Sequence, residues 1–287
     1  MARAGRQSHS TPKSSKRKQS ILSFGDEKRQ KVYRCPECYM TFSPAACEDV
    51  AAHERYHDLH LCGRKWTSQW GDLIQEHSLS KSLTGGLPNS AEESGRSSSQ
   101  RTRTCDFNAE KDRIVQISKS RRSEVQATLE IMSIVNEELH APMNENFFWS
   151  KHCETDGGHE SHQANNNGVA LVYVRGGRAI GVVTVEFLND EEQRGRWMVS
   201  DTAEIVPKVR PIFRLGISRI WVCRRQRGQN VATRLLDATR LHAIPGMEVA
   251  KWELAWSQPS ESGGKLAKSY NSVSHEKSGR ILIPCYI

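Results

Sequence analysis

Four side chains near the N-terminus constrain the fold of this chain more than any other feature. Two thiols, Cys35 and Cys38, are separated by two residues, and two imidazoles, His53 and His57, follow after a spacer of fourteen residues. Because the imidazoles are four residues apart, a helix would place both on one face. A Cys-Cys-His-His set with this spacing is typical of a closed tetrahedral zinc site, which folds a segment too small to hold itself together. His60 is an alternative to His57 as the fourth ligand.

Composition and charge divide the chain unevenly. The hydrophobic content of 37% is low for a packed chain of 287 residues, which predicts that part of it is disordered. The net charge of +8 is concentrated at the N-terminus, where nine Lys or Arg lie within residues 1–31. Such a tail favours polyanions such as nucleic acid, and solubility or nuclear import is an equal alternative. With no apolar run as long as a membrane span and no signal-like N-terminus, an intracellular protein with reduced cysteines is expected.

Shifts in composition predict four regions. Residues 1–30 form a disordered basic tail, and residues 31–75 form a compact zinc finger module. Residues 76–110 are rich in Ser, Gly, Glu and Arg, which predicts a flexible linker because such a segment cannot offset its ordering entropy. Residues 111–287 mix strand-like and helix-like patterns, which predicts an α+β (mixed α/β) domain.

Hydrophobic periodicity places the elements of that domain. Apolar residues at three- and four-residue steps predict an amphipathic helix over 120–140. A Val- and Ile-rich hairpin is predicted over 169–188, with Gly176 and Gly177 at its turn. The other predicted elements are strands over 217–223, 252–257 and 281–287, a helix that begins near Val231 and a short helix over 265–270.

A basic, glycine-containing turn follows the strand that ends near Val222. A strand, a turn of this kind and a helix start make an anion site, because free backbone N–H groups and Arg side chains point at a phosphate. The window Arg227–Ala232 fits the Arg/Gln-x-x-Gly-x-Gly/Ala pattern of acetyl-CoA-dependent N-acetyltransferases, except that Asn230 replaces the usual Gly. Asn tolerates the left-handed backbone that this position requires. An ordinary solvent-facing turn is the alternative.

Several blocks of the C-terminal half resemble one enzyme family. The blocks are Arg214-Leu-Gly-Ile-Ser-Arg-Ile-Trp-Val222, Val231-Ala-Thr-Arg-Leu-Leu-Asp237 and Leu254-Ala-Trp-Ser-Gln-Pro-Ser260. They are similar to motifs of the cohesion-establishment (Eco/Esco-type) acetyltransferases, and the finger and the closing segment 277–287 resemble fungal members. The resemblance covers about residues 31–75 and 111–287.

The resemblance implies a GNAT-type acetyltransferase domain, in which a splayed mixed sheet holds acetyl-CoA between two parting strands. It implies a nuclear enzyme that acetylates a lysine on the ATPase head of a cohesin SMC subunit and thereby establishes sister chromatid cohesion during DNA replication. In such enzymes the lysine amine attacks the thioester directly, and an acidic residue or water accepts the proton.

The resemblance also assigns residues to the cofactor. Three of them form the strand that faces the acetyl-pantetheine arm: Ile220, Trp221 and Val222. The pyrophosphate site comprises Arg227, Gly228, Gln229, Asn230, Val231, Ala232 and Thr233. The far side of the cofactor is lined by Ser260, Glu261, Ser262 and Gly263.

The resemblance is less direct about the catalytic base. Ser218 and Asp237 match positions implicated in animal members, where Glu stands in place of Asp237. At the position of a further acidic residue of those members, this chain has Gln258, whose side chain cannot accept a proton. We therefore predict Asp237 as the base with Ser218 assisting, and Glu253 as the rival. The alternative for Asp237 is an exposed carboxylate on a helix without a catalytic role. The alternative for Ser218 is a strand hydroxyl that only hydrogen-bonds to the backbone.

The tail carries a second resemblance. Lys18-Gln-Ser-Ile-Leu-Ser-Phe-Gly25 is similar to the motif by which replication proteins bind the sliding clamp PCNA, with Ile21 and Phe24 at the apolar positions. Lys18 and Gly25 depart from the motif's Gln and second aromatic. Clamp binding through residues 18–25 is therefore a hypothesis, and an import signal is its alternative. A single finger presents few base-reading side chains, which favours a module that positions substrate, chromatin or the catalytic domain over sequence-specific DNA reading.

Two non-enzymatic functions are alternatives to the acetyltransferase. The chain would be a zinc-finger protein that binds DNA or chromatin and carries an inactive acetyltransferase scaffold, or an adaptor between the clamp and cohesin. Salt-dependent binding without CoA affinity would indicate the first. The Arg-rich turn after a strand favours the enzyme over both. A third alternative keeps the enzyme and changes its target to histone tails or its own lysines.

Overall fold

The computed structural model describes residues 32–77, 111–139, 168–189, 191 and 193–287. The predicted basic tail, the clamp-like segment and most of the predicted linker lie outside these residues. Among the helices of the described residues, none combines the length and the apolar character needed to cross a bilayer.

The N-terminal module is a short hairpin followed by a helix. Strands β1 (Tyr33–Arg34) and β2 (Thr41–Phe42) pair antiparallel, and helix α1 spans Cys47–Cys62. The loop between the strands carries the two predicted thiol ligands, and α1 carries the two imidazoles. The buried residues of α1 are confined to its last turn. The module therefore has little apolar core of its own, as expected for a segment folded around a metal.

A mixed sheet of ten strands forms the body of the described residues. The strands are β3 (Arg64–Lys65), β4 (Asp72–His77), β5 (Asp112–Gln116), β6 (Gly168–Arg175), β7 (Arg178–Phe187), β8 (Gly195–Val199), β9 (Leu215–Val222), β10 (Leu254–Trp256), β11 (Val273–Ser274) and β12 (Ile281–Tyr286). The main path runs β11-β12-β10-β9-β7-β6-β5-β4, with β3 beside β7 and β8 beside β12. The pairs β9–β10 and β10–β12 are parallel, and the other pairs are antiparallel.

Three helices pack against this sheet: α2 (Arg122–Leu139), α3 (Val231–His242) and α4 (Glu261–Asn271). The apolar stripe of α2 is buried, as the three- and four-residue spacing predicts. Helix α3 lies close to β7, since a Cβ on Gly181 would come within 3.1 Å of the Val231 and Leu235 side chains. The β6–β7 hairpin is almost wholly buried, which accounts for its nearly continuous Val and Ile content.

Strands β9 and β10 separate partway along β9. Their parallel pairing covers Leu215–Ile217 against Leu254–Trp256, and Ser257 N then donates to Ile217 O at 3.1 Å. Beyond that bond β9 continues to Val222, whereas the segment that follows β10 turns towards α4. The predicted splayed mixed sheet of an α+β fold is confirmed.

The finger and the larger domain share strands. Strand β3 pairs with β7, and β4 pairs with β5 along five registered residue pairs. The predicted boundary at residue 75 therefore falls inside β4, and the segment that follows α1 belongs to the large sheet. The predicted short helix over 265–270 is the C-terminal part of a longer helix that begins at Glu261.

Candidate active site and metal centre

Four side chains of the finger converge on one point. The ligand atoms of Cys35, Cys38, His53 and His57 lie within 4.8 Å of one another, and both thiols are buried. His53 Nε2 is buried without a hydrogen-bond partner, and the ring stacks on Phe42 with 4.0 Å between centroids. Burial, with a smaller effect of the Cys35 thiol, raises the pKa of Cys38 to about 11, so two thiolates here require a cation between them. This donor set fits Zn²⁺.

His60, the alternative fourth ligand, lies outside this cluster. Its Nδ1 is 3.7 Å from Oε2 of Glu138 on α2, and its ring stacks against Tyr56. The side chain is buried, and burial lowers the pKa of His60. His57 therefore completes the metal cluster, and His60 belongs to the contact between α1 and α2.

A cavity of about 330 Å³ lies where β9 and β10 separate. Its walls come from the second half of β9, the basic turn, the start of α3 and the segment from Trp256 to Leu266. Every residue predicted to bind the cofactor lines it, except Gln229 and Glu261. Ser218 and Gln258 also line it, and Glu138 and Leu139 of α2 complete the wall. The sequence-predicted cofactor residues are thus brought together around one space.

The basic turn enters α3 through a left-handed backbone. Gly228 has a φ of +76°, and Asn230 has a φ of 59°. The predicted left-handed conformation of Asn230 is confirmed. The Asn230 side chain makes no capping bond, so the first N–H groups of α3 have no side-chain acceptor. This is the end of the helix where the dipole is positive, which suits a bound anion.

A buried ion pair holds the basic turn from the side of β6. Arg175 Nη2 lies 2.6 Å from Oδ2 of Asp112, and both side chains are largely buried. Arg175 Nη1 also donates to the side-chain oxygens of Gln226 at 2.7 Å and Gln229 at 2.6 Å. Gln229, which was predicted to contact the cofactor, therefore holds the turn in place instead of lining the cavity.

Glu138 is a cavity residue that sequence reasoning missed. It accepts hydrogen bonds from Trp221 Nε1 at 2.7 Å and from Arg227 Nη2 at 2.6 Å. Burial raises the pKa of Glu138, but these two bonds and the Arg227 charge outweigh it, so the pKa lies below its usual value. An ionised carboxylate at the end of α2 thereby fixes two predicted cofactor residues. A Glu near a helix end carries no distinguishing sequence signal.

Ser218 connects the cavity to a second carboxylate. Its Oγ donates to Oε1 of Glu186 on β7 at 3.2 Å, and Tyr286 OH donates to the same oxygen at 2.6 Å. The other carboxylate oxygen of Glu186 lies 2.9 Å from Arg194 Nη1. Sequence reasoning missed Glu186 as well, although a lone acid in the apolar strand Val182–Phe187 is an available signal.

Two family profiles match the chain. Residues 213–278 match the ESCO1/2 acetyl-transferase, and residues 19–59 match the zinc-finger of acetyl-transferase ESCO. The chain is 48% identical over 282 residues to N-acetyltransferase ECO1 of Eremothecium gossypii, with 98% of each chain covered. It is 39% identical over 272 residues to N-acetyltransferase ECO1 of Saccharomyces cerevisiae, covering 91% of this chain and 90% of that protein. The chain belongs to the Eco1/ESCO family of N-acetyltransferases.

Family membership identifies the enzyme class and its cofactors. Eco1/ESCO proteins are N-acetyltransferases, so the co-substrate is acetyl-CoA and the metal of the finger is zinc. In three dimensions the chain is similar to the xEco2 acetyltransferase domain bound to a K105-CoA conjugate, with a TM-score of 0.44, 20% identity, and 61% of this chain and 92% of that chain covered.

In this Eco1-family enzyme the predicted bases lie apart from the cavity lining. Asp237 Oδ1 accepts a hydrogen bond from Tyr270 OH at 2.7 Å. Glu253 forms an ion pair with Arg214 at 2.8 Å and accepts a hydrogen bond from the backbone N–H of Ala250, three residues earlier in the chain. Neither carboxylate lines the cavity. Of the three catalytic candidates, the structure brings only Ser218 to it.

Proposed function

We propose that this protein transfers an acetyl group from acetyl-CoA to a lysine on the ATPase head of a cohesin SMC subunit, in the nucleus. The Eco1/ESCO family acts by acetylation in cohesion establishment, which supports the substrate class. The observation that carries the enzymatic proposal is one cavity that joins an uncapped, basic helix N-terminus to Ser218, at the point where β9 and β10 part.

The two ends of this cavity suit the two ends of acetyl-CoA. At one end, the first N–H groups of α3 and the left-handed turn Gly228–Asn230 bind the pyrophosphate. At the other end, β9 is no longer paired with β10 beyond Ile217. Its backbone groups there are available to hydrogen-bond an extended, amide-containing arm, in the manner of an added strand. The same edge orients the acetyl carbonyl towards Ser218.

The chemistry requires few protein groups. Acetyl-CoA supplies an activated thioester carbonyl, and a C–N bond to the lysine forms as the C–S bond breaks. The protein orients the amine, excludes water and removes one proton from the attacking nitrogen. The apolar side chains of Trp221, Trp256 and Leu266 line the cavity and would reduce the access of water to a thioester bound beside them.

The proposal also includes chromatin and the sliding clamp as partners. The charge of the basic tail supports nuclear import and proximity to chromatin. The segment 18–25 supports binding to the sliding clamp, and a peptide of residues 10–31 titrated against the clamp tests it. Absence of binding at high micromolar concentration would rule out this segment as a docking motif.

The function is tested by transfer of labelled acetyl from acetyl-CoA to a purified cohesin SMC head, with the modified lysine located by mass spectrometry. A generic lysine peptide is the matched acceptor control. Transfer to a specific lysine of the head, well above transfer to the peptide, is the expected result. Transfer to the peptide alone would overturn the proposed substrate. A folded, zinc-loaded chain with neither CoA binding nor transfer would overturn the enzymatic assignment and support the scaffold alternative.

A further inference from the structure

Acetyl transfer to an amine needs a proton acceptor, and the carboxylate that contacts the cavity-lining Ser218 is Glu186. We propose that Glu186, acting through Ser218 Oγ, accepts the proton of the attacking lysine amine, and that Tyr286 positions its carboxylate. This assignment rests on the proposed lysine acetylation. It replaces Asp237 as the base and gives Ser218 the role of a relay.

The geometry supports a relay. Glu186 is on β7, Ser218 on β9 and Tyr286 on β12, so three strands meet at one carboxylate oxygen. Ser218 Oγ is 3.2 Å from Oε1 of Glu186 and 3.3 Å from Tyr286 OH. A hydroxyl both donates and accepts, so Ser218 can receive a proton from the cavity side as it passes its own to Glu186. The proton ends on Oε1, the C–S bond breaks so that CoA leaves as a thiolate, and the amine nitrogen keeps its new C–N bond.

The Tyr286 ring is held tightly against β9. A Cβ on Gly216 would lie 2.7 Å from two atoms of that ring, so only glycine leaves room for it. Tyr286 is buried, and burial together with Glu186 raises the pKa of its hydroxyl above the usual value. The hydroxyl therefore remains a donor to Glu186 and does not compete with it for the proton.

Two arginines place positive charge near Glu186. Arg194 binds its outer oxygen Oε2, and the charge of Arg219, whose Nε donates to Asn136 Oδ1, also acts on Glu186 and Tyr286. Arg194 occupies the oxygen that does not face Ser218, so Oε1 remains directed at the hydroxyl. Asp237 lacks this relation to the cavity, because Tyr270 OH holds it.

The test compares full-length Glu186→Gln, Ser218→Ala, Tyr286→Phe and Asp237→Asn in single-turnover transfer over a range of pH. Glu186→Gln is expected to slow transfer by roughly 100-fold or more, within the range of general-base catalysis. Its affinity for CoA should stay within about two-fold of wild type, because Glu186 does not line the cavity. Asp237→Asn should transfer at close to the wild-type rate.

The pH profile separates a proton acceptor from a structural residue. The wild-type rate is expected to fall at low pH because both the proton acceptor and the lysine amine then hold protons, and Glu186→Gln should keep only the part of that fall that comes from the amine. Tyr286→Phe should keep the profile at a reduced rate. Rates within about three-fold of wild type for Glu186→Gln with an unchanged profile, or collapse of Asp237→Asn alone, would overturn the assignment.

The same assay keeps this inference separate from the proposed substrate. Each variant is measured on the SMC head and on the generic lysine peptide. If wild type acetylates only the peptide, the proposed substrate fails, but the Glu186→Gln rate on the peptide still decides the acceptor. Thermal unfolding of each variant identifies one that has lost its fold, and Tyr286→Phe, which keeps the ring, then tests the same cluster.

Discussion

Glu37 links the metal site of the finger to the turn that borders the cofactor cavity. Its Oε2 lies 3.0 Å from Nε2 of His57, and its Oε1 lies 3.5 Å from Nη2 of Arg225. Arg224 also donates to the backbone carbonyl of Glu37 at 2.8 Å, and its guanidinium lies over the Tyr39 ring. The loop that carries the two thiol ligands is therefore bound directly to the basic turn.

Removing the Glu37 carboxylate should weaken zinc binding. A carboxylate that accepts a hydrogen bond from a metal-bound His fixes the orientation of the ring, and loss of such a partner costs roughly 10–100-fold in metal affinity. Glu37→Gln is expected to lower zinc affinity by at least the smaller factor in competition with a chromophoric chelator. Glu48→Gln, which changes an exposed acid in the first turn of α1, is the matched control. Equal affinities in the two variants would show that Glu37 does not support the metal.

Zinc removal should weaken cofactor binding, because the finger contacts the basic turn. Without the metal, the Cys35–Cys38 loop loses its fixed position, and Arg224 and Arg225 lose their partners on Glu37. We expect a chelator to weaken CoA binding by about five- to ten-fold in calorimetric titration, at the lower end of typical coupling energies between sites. By reciprocity, saturating CoA should raise zinc affinity by the same factor. Identical CoA affinities with and without zinc would show that the contact carries no coupling.

Local spacing predicted much of this structure. The Cys-x-x-Cys loop and the helical His pair depend only on residues within the finger, and the structure brings these four ligands together as predicted. The basic turn was equally predictable, because a strand, a left-handed Asn and a helix start follow one another along a short stretch of the chain. These features are encoded over short stretches, where periodicity and turn chemistry are informative.

What the sequence did not predict depends on contacts between distant segments. Strand β3 has two residues, too few to show a pattern, and its pairing with β7 is fixed only in the folded sheet. The environment of Glu186 is set by Tyr286, a hundred residues further along the chain. The helix that carries Asp237 was predicted, but its rotation relative to the cavity follows from packing on β7, which periodicity alone does not specify.

The left-handed backbone at Asn230 should tolerate Gly and reject a β-branched residue. With φ at 59°, Asn230→Val is expected to lower the free energy of unfolding by about 1–2 kcal/mol, because a β-branched residue is strained there. It should also weaken CoA binding, since the turn would shift. Asn230→Gly should keep CoA affinity within about two-fold. Urea denaturation and CoA titration of both variants check this, and a Val variant as stable as the Gly variant would contradict it.

The carboxylate of Glu138 should make the free energy of unfolding depend on pH in the acid range. Its folded-state pKa lies below the usual value, so its contribution is fully present above the pKa of an unfolded Glu and is lost as pH falls through the depressed folded pKa. The groups that face it are Arg227, the Trp221 N–H and His60. At pH 7, Glu138→Gln should lower the free energy of unfolding by about 1.5–3 kcal/mol, as for a hydrogen bond to a charged group. Chemical denaturation from pH 7 downwards should show the gap to wild type narrowing once pH falls below the pKa of an unfolded Glu, because protonation then favours the unfolded wild-type chain. Glu130→Gln, at a more exposed site on the same helix, should show a smaller gap at pH 7. A difference for Glu138→Gln that stays constant with pH would show that the pKa of Glu138 is not lowered in the native protein.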